Sequence, residues 1–522
     1  MVDAQGSLTG LTPGVRVRPA GCRQAECAVT WDGEMPLEMD QMVVEFEIKE
    51  GVTWSDGTPV TAADSVFGFQ AASDPDAPGL HWAEERTASY STVDIRTVQW
   101  VGKPGFSSAQ LESFFWTPLP SHLFTDSARW SELLTDLQLT QTPPSYGPFV
   151  VGAWESDAIQ LVPNPYYYQS DKGLTLLDAI TYRAIEPNRV QAWEALQTGE
   201  CDLLDSSFGF ENDPGLLNEI MADARFKVQV GTTGAWTQLV FGIQPFAYDD
   251  GYSPAMGDRP DLLRDVRTRQ ALAACLDREG WFETRLSGLD RPWTSFVPPE
   301  LSQLSDDVLL KFDPSLAKQW LSEAGWLDHD GDPQTMLQAG SVTGVPVGTP
   351  LSLELTVSDS VFHQDLANLI QESFAVCGVG VQVVSLPVGE IFAPGPDGVL
   401  FGRQFDLALI SWMPAPELDC SYYLSRQIPS ADNQWIGTNI AGFSESTYDD
   451  ACVTANLALP TEHQAEMARA EEVFISYLPA VPLFASPDIN ILPIDPCKGN
   501  DVTHPGNFFA NIAQFAGDKN CP

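Results

Sequence analysis

Val44, Phe46 and Ile48 alternate with Glu45, Glu47 and Lys49, the period-two pattern of a strand with one buried face. Asp56-Gly57 marks a turn. Thr61, three residues before Asp64, predicts a capping box opening a helix through Val66, Phe67 and Phe69. Residues 74–79 read as a loop, and Val93–Val101 as a strand. Gly147-Pro148 turns into a hairpin whose second strand, Ile159–Val162, closes at Asn164-Pro165. Leu177–Ile185 is a predicted strand. A helix starts near Asn188 with Val190, Trp193, Ala195 and Leu196 inward and stops at Gly199; Cys201–Leu204 follows as a buried strand.

Further strands are predicted at 226–230, Gln238–Ile243, Leu351–Val357, Val379–Val384, Phe405–Trp412 and Val481–Phe484. Helices are predicted at Asp265–Glu279, after the Asp313-Pro314 cap with Leu316, Trp320, Leu321 and Ala324 on one face, and at His363–Ala375, Thr447–Ala458 and Glu462–Tyr477. Strands alternating with helices argue for α/β lobes.

A chain of 522 residues with 43% hydrophobic content can build several packed cores and is not disordered. Its net charge of -44 repels nucleic acid and anionic lipid; a solvated acidic surface accounts for it more simply than substrate steering. No apolar run reaches the length of a transmembrane helix, and Met1-Val-Asp-Ala-Gln-Gly-Ser lacks the basic and apolar regions of a signal peptide. The 9 cysteines show no zinc spacing. Several sit in Pro/Gly/Asp-rich loops suited to an oxidising compartment, with Cys22–Cys27, Cys420–Cys452 and Cys497–Cys521 as the expected pairs. Cys275 and Cys377, in apolar helical surroundings, are expected to be buried thiols.

Enzyme motifs are missing. The chain has no GxSxG elbow, no HExxH and no phosphate-cradling GxxxxGK[ST] loop, and its 6 histidines are scattered. Asp328-His-Asp-Gly-Asp332 imitates the start of a calcium loop, but Pro333 and Ala339 stand where that loop needs Gly and Glu, so a polar turn is expected. No cofactor or metal site is predicted. A secreted hydrolase using a carboxylate pair has no supporting motif among the 71 acids.

Four segments in the same order carry a family resemblance: GVTWSDGTPVTAADSVFGF from Gly51, GPFVVGAWESDAIQLVPNPYYY from Gly147, AWEALQTGECDLLD from Ala192, and the helix from Asp265. The run Phe114–Phe124 adds a fifth, weaker match. Together they resemble the extracytoplasmic solute-binding proteins of oligopeptide/dipeptide ABC importers, the family 5 solute-binding proteins. The resemblance spans nearly all of residues 40–490. It implies an α/β, two-lobe periplasmic-binding-protein fold (class II, peptide-type) with an extra domain, its N-terminal part missing. Residues 1–168 would form the extra domain, 169–262 with 485–522 lobe I, and 263–484 lobe II.

By the same resemblance, the chain captures oligopeptides outside the cytoplasmic membrane by hinge closure and delivers them to a membrane permease. It makes or breaks no bond, works as a monomer and is lipid-anchored in its full-length form. In peptide-binding members a strand ends in Gly-Trp and a following Asp holds the peptide's α-amino group. Here Ser411-Trp412 matches that pair, and Ala415 stands at the Asp position, with Glu417 and Asp419 as alternative carboxylates. Trp412, Met413, Ala415, Glu417 and Asp419 are therefore the expected ligand loop, with Trp236 and Trp435 as further aromatic walls. The missing Asp keeps a non-peptide solute, an oligosaccharide or a metal chelate, as the alternative.

Overall fold

The computed structural model describes residues 1–77, 81–124, 140–172, 177–185, 188–253, 257–285, 292–298, 302–304, 311–332, 335–412 and 420–494. Three sheets of three or more strands organise it. The first is antiparallel and joins β1 (Val43–Glu47), β2 (Thr87–Thr92) and β3 (Thr97–Gly102) in the order β1-β3-β2. Helix α1 (Ala62–Ala72) packs on it and opens with a capping box between Thr61 and Asp64. Asp64 also accepts from the Ser121 amide, so the same carboxylate anchors the helix start and the 121–123 turn.

The second sheet is a meander of β4 (Phe149–Trp154), β5 (Ala158–Pro163) and β6 (Ile180–Arg183). Buried Asn164 closes its hairpin, donating to the Gly147 carbonyl at 2.9 Å. The short helix α2 (Arg189–Thr198) follows, capped by Asn188 and ended by Gly199 in the left-handed region (φ 74).

The third sheet positions the site. It contains β7 (Phe226–Phe241), β8 (Ser352–Ser358), β9 (Gly380–Leu386), β10 (Leu407–Trp412) and β11 (Ala480–Pro493), in the order β9-β8-β10-β7-β11. Strands β9, β8 and β10 are parallel; β7 and β11 are antiparallel to their neighbours. Both faces of its centre are buried. Leu239, Phe241, Leu407 and Leu409 enter one core, and Trp236, Val240, Ala408 and Ile410 enter the other. Strict alternation inside two apolar cores is what a central strand covered on both faces requires.

Strands β7 and β11 run together far beyond this sheet. Their other ends, Phe226, Ile489 and Ile491, enter a separate small core with Trp193, Leu196, Leu204, Phe210 and Ile220. Two adjacent connections thus cross between two cores, and their register shifts between Pro482/Phe484 and between Ala485/Pro487, midway along the crossing. Among the described residues, no helix is long and apolar enough to cross a membrane.

Several expectations are corrected. The segments 226–230 and 238–241 belong to one 16-residue strand, which pairs with β11 on both sides of the register shift at Ala485/Pro487. The strand at Val481–Phe484 likewise extends to Pro493. Val93 lies in a turn: the Asp94 carboxylate accepts from the Arg96 and Thr97 amides and folds β2 onto β3. Cys201–Leu204 forms only a single bridge, Leu204 to Ile491. Asp328 accepts from the Gly331 amide at 2.7 Å, making a polar turn of the calcium-loop imitation.

Cys22–Cys27 and Cys420–Cys452 are disulfide-bonded. Cys275 and Cys377, expected as thiols, are bonded to each other. They end α4 (Val266–Ala274) and α6 (Val361–Val376), which follow α3 (Pro214–Ala222), flank α5 (Pro314–Ala324) along the chain and pack in the same core. Their 102-residue separation hid the contact. Cys201 is the free cysteine among the described residues, and Cys497–Cys521 lies outside them.

Candidate functional site

The parallel strands β8 and β10 end beside the point where β7 begins its crossing. In an open α/β sheet such strand ends are where loops converge on a ligand. Register sets the two faces of this edge. Trp412 lies directly opposite Trp236, and Ser411 directly opposite Thr237. Side chains of facing residues share a face, so one side of the edge is aromatic and the other hydroxylic.

On the aromatic side, Trp236 is buried and stacks nearly parallel to Trp293, with centroids 6.3 Å apart. Tyr422 meets both Trp236 (6.4 Å) and Trp412 (6.0 Å), and Phe392 meets Trp412 edge-on at 5.9 Å. Trp412 remains partly exposed. On the hydroxylic side, the Ser411 and Thr237 hydroxyls pair at 2.8 Å, and His363 Nε2 lies 3.5 Å from the Ser411 hydroxyl. The other imidazole nitrogen, Nδ1, contacts the Ser358 hydroxyl at the end of β8.

His363 stands in the first turn of α6, where the Ser360 side chain accepts from its amide. Burial lowers its pKa from 6.5 to about 4, so the ring is neutral at physiological pH. A neutral imidazole between hydroxyls can pass hydrogen bonds in either direction without adding a charge. The small core reaches the same place: the Asn212 side-chain oxygen Oδ1 accepts from the Phe362 amide at 3.2 Å. Next to it, burial raises the pKa of Glu211. The hydroxyl and imidazole row therefore sits where the two cores touch.

Of the expected ligand residues, Trp412 and Trp236 are brought together here, joined through Tyr422. Met413, Ala415, Glu417 and Asp419 lie outside the described residues. Trp435 belongs to another cluster: it holds a left-handed backbone (φ 62), packs edge-on against Phe246 at 5.0 Å and covers Gly395. Thr237, Ser358, His363 and Tyr422 were not anticipated. The signal for Thr237 is a polar pair, Thr237-Gln238, inside an otherwise apolar strand.

Residues 36–434 match the family model described as bacterial extracellular solute-binding proteins, family 5. The chain belongs to this family. A probable ABC transporter-binding protein of Deinococcus radiodurans is 24% identical over 396 residues, 71% of this chain and 63% of that relative. The chain thus spans less than two thirds of that relative's length. Among solved structures it is similar to the oligopeptide-binding protein AppA of Bacillus subtilis in complex with a nonapeptide (TM-score 0.59, 21% identity, 91% and 87% of the two chains covered). It is also similar to NikZ of Campylobacter jejuni in complex with Ni(L-His) (TM-score 0.63, 19% identity, 91% and 88% covered). These neighbours place the chain in the two-lobed fold of the family's binding proteins, in agreement with the resemblance read from its motifs.

Proposed function

We propose that this protein is the solute-capturing receptor of an ABC importer and that its solute is an oligopeptide, held where β7 and β11 cross between the lobes. The observation that supports this reading best is the two-sided edge formed by Trp412–Trp236 and Ser411–Thr237–His363. An aromatic wall suits variable side chains, and a row of uncharged hydrogen-bonding groups suits a peptide backbone. Closure is a population shift: a ligand touching both cores favours the state in which they approach. The register shifts in the crossing strands are the natural places for that bend.

In this reading residues 1–168 are the extra domain, 169–262 with 485–522 lobe I, and 263–484 lobe II. The protein works outside the cytoplasmic membrane as a lipid-anchored monomer and hands its solute to a permease. It performs no reaction on the solute. A metal chelate is the second reading. It is favoured by Ala415 at the position where peptide-binding members carry Asp, and NikZ shows the fold with Ni(L-His).

Native mass spectrometry of the gently purified chain, followed by denaturation, tests the proposal. A spread of peptide masses, unchanged after prolonged incubation, is expected. A single non-peptide mass would replace the peptide reading with the second. Shortening of the released peptides would contradict a pure receptor. A chain that is empty and stays empty after exposure to a peptide mixture would count against solute capture.

A further inference from the structure

Helix α6 begins where the two cores meet, and its first turn carries amide groups that the helix itself cannot satisfy. One is satisfied locally: the Ser360 side chain accepts from the His363 amide at 3.2 Å. The Phe362 amide is satisfied from outside. Its acceptor is Asn212 Oδ1, 3.2 Å away in space and 150 residues away in sequence. The two partners belong to different cores. Asn212 ends the Phe210–Asn212 turn, and Phe210 is fully buried in the small core with Leu204, Leu217 and Ile220. Phe362 packs against the core that Leu366, Ile370 and Phe374 of α6 enter.

The acceptor is aimed before it is used. Asn212 Nδ2 donates to the Gly209 carbonyl at 3.1 Å and to Glu211 Oε1 at 2.9 Å, which turns Oδ1 outward towards α6. The Gly209 carbonyl also accepts from the Asn212 amide at 3.0 Å and from Arg189 Nε at 2.8 Å, tying the turn to the start of α2. On the far side Asp213 caps α3, accepting from the Leu216 amide at 3.0 Å. Gly209 holds a left-handed backbone (φ 62), and a Cβ there would meet Asn212 Nδ2 at 2.9 Å. The turn is built around the orientation of this one side-chain amide. A preorganised acceptor loses little freedom when it bonds.

The donor is as well placed. The Phe362 ring packs edge-on against Trp281 and Phe484, with centroids 5.5 Å from each. Phe484 is where the register of β11 resumes after its first shift, opposite Thr237. The next residue along the helix is His363, in the hydroxyl row. One turn of α6 thus meets the small core through a backbone amide, the bend of the crossing strands through a ring, and the solute edge through an imidazole.

We propose that Asn212 is a positioning residue for solute capture: a latch that holds the small core against α6 without touching the solute. Closing the cleft then draws part of its free energy from the protein itself, and the solute supplies the remainder. The latch adds the same increment whatever the solute, so it raises affinity uniformly and leaves selectivity to the cleft. This proposal rests on capture by closure of the two lobes, and not on the solute being a peptide.

Hydrogen exchange at single-amide resolution and small-angle X-ray scattering, on the full disulfide-intact chain stripped of solute, test it. In Asn212→Ala the Phe362 amide should exchange about fivefold faster than in the unaltered chain, the loss of one net hydrogen bond. The radius of gyration should rise, because the open state gains population. Gly209→Ala, which displaces the Asn212 side chain without removing it, should shift both readouts the same way; it decides the matter if Asn212→Ala fails to fold. Calorimetry then reads affinity for two probes, pentaalanine and Ala-Ala-Phe-Ala-Ala. Asn212→Ala should weaken both by the same factor, about fivefold. Unchanged exchange at Phe362 would overturn the proposal. Faster exchange with an unchanged radius of gyration would do so too, by making Asn212 a local cap of α6, as would losses of affinity that differ between the two peptides. An unaltered chain that binds neither peptide would count against the peptide reading alone, and exchange and scattering would still decide the latch.

Discussion

Two aromatic groups occupy opposite ends of one hydrophobic core, and they are finished differently. Against the first sheet, Trp100 and Phe114 are fully buried and stack at 4.3 Å, with Phe106 edge-on to Phe114 at 5.6 Å. Three polar aromatic atoms there have internal partners. Trp100 donates to the Thr87 hydroxyl at 2.8 Å, Trp116 to Glu84 at 2.7 Å, and the Tyr90 and Ser65 hydroxyls pair at 2.7 Å. At the crossing strands, Trp412 is partly exposed, Tyr422 leans on it, and the opposite face of the same strand carries Ser411, with His363 of α6 beside it. The first group is sealed and its chemistry is spent on itself. The second is an unfinished surface beside groups that can bond something else. Burial with satisfied partners marks an aromatic as structural; exposure at a strand end beside neutral hydrogen-bonding groups marks it as available.

The contrast is broken most forcefully at the sealed end. Trp100→Ala removes a filled volume and a buried hydrogen bond and should cost about 3–5 kcal/mol of stability, read by chemical denaturation. Solute affinity of the remaining folded molecules should not change.

His363 provides the next largest effect, at the open end. Its folded pKa of about 4 lies below the ordinary 6.5, so between these values the unfolded chain binds more protons than the folded one. Its contribution is present in full above pH 6.5, declines as pH falls towards 4 and is flat below. The decline amounts to on the order of 3 kcal/mol. His363→Gln should flatten that part of the stability–pH curve; an unchanged slope would show that the imidazole is not desolvated.

Trp412→Ala should invert the Trp100 pattern. Solute affinity measured by calorimetry should fall about tenfold, while stability drops by only about 1 kcal/mol. A change in stability alone would make Trp412 part of the sealed core. The smallest effect is expected for Thr237→Val, which keeps the shape of the strand and removes one hydroxyl. It should lower stability by about 1 kcal/mol, through the lost partner of Ser411, and weaken solute binding modestly.

Much of the local structure was legible along the chain. Thr61 with Asp64, Asn188 with Gly199, and Asp313 before Pro314 cap helices through contacts a few residues apart, so their spacing is enough. The long crossing strands were not. Gly231, Gly234, Pro482 and Pro487 interrupt the pattern that marks a strand, and only pairing between β7 and β11 holds them extended. The site divides in the same way. Trp412 and Trp236 stood out as aromatics beside strand ends. The Thr237–Ser411 pair joins residues 174 apart, and His363 meets Ser411 from a third element, so register between distant strands decides the contact. The Cys275–Cys377 bond, across 102 residues, likewise depends on the packing of two distant helices.

Hydrogen-exchange mass spectrometry of the solute-loaded and the stripped protein separates the two aromatic groups in one experiment. Solute should add protection at the strand ends around Thr237, Ser411 and His363 and at the 210–212 turn, and none around Trp100 and Phe114. Added protection around Trp100 and Phe114, with none at the crossing strands, would contradict the placement of the solute site.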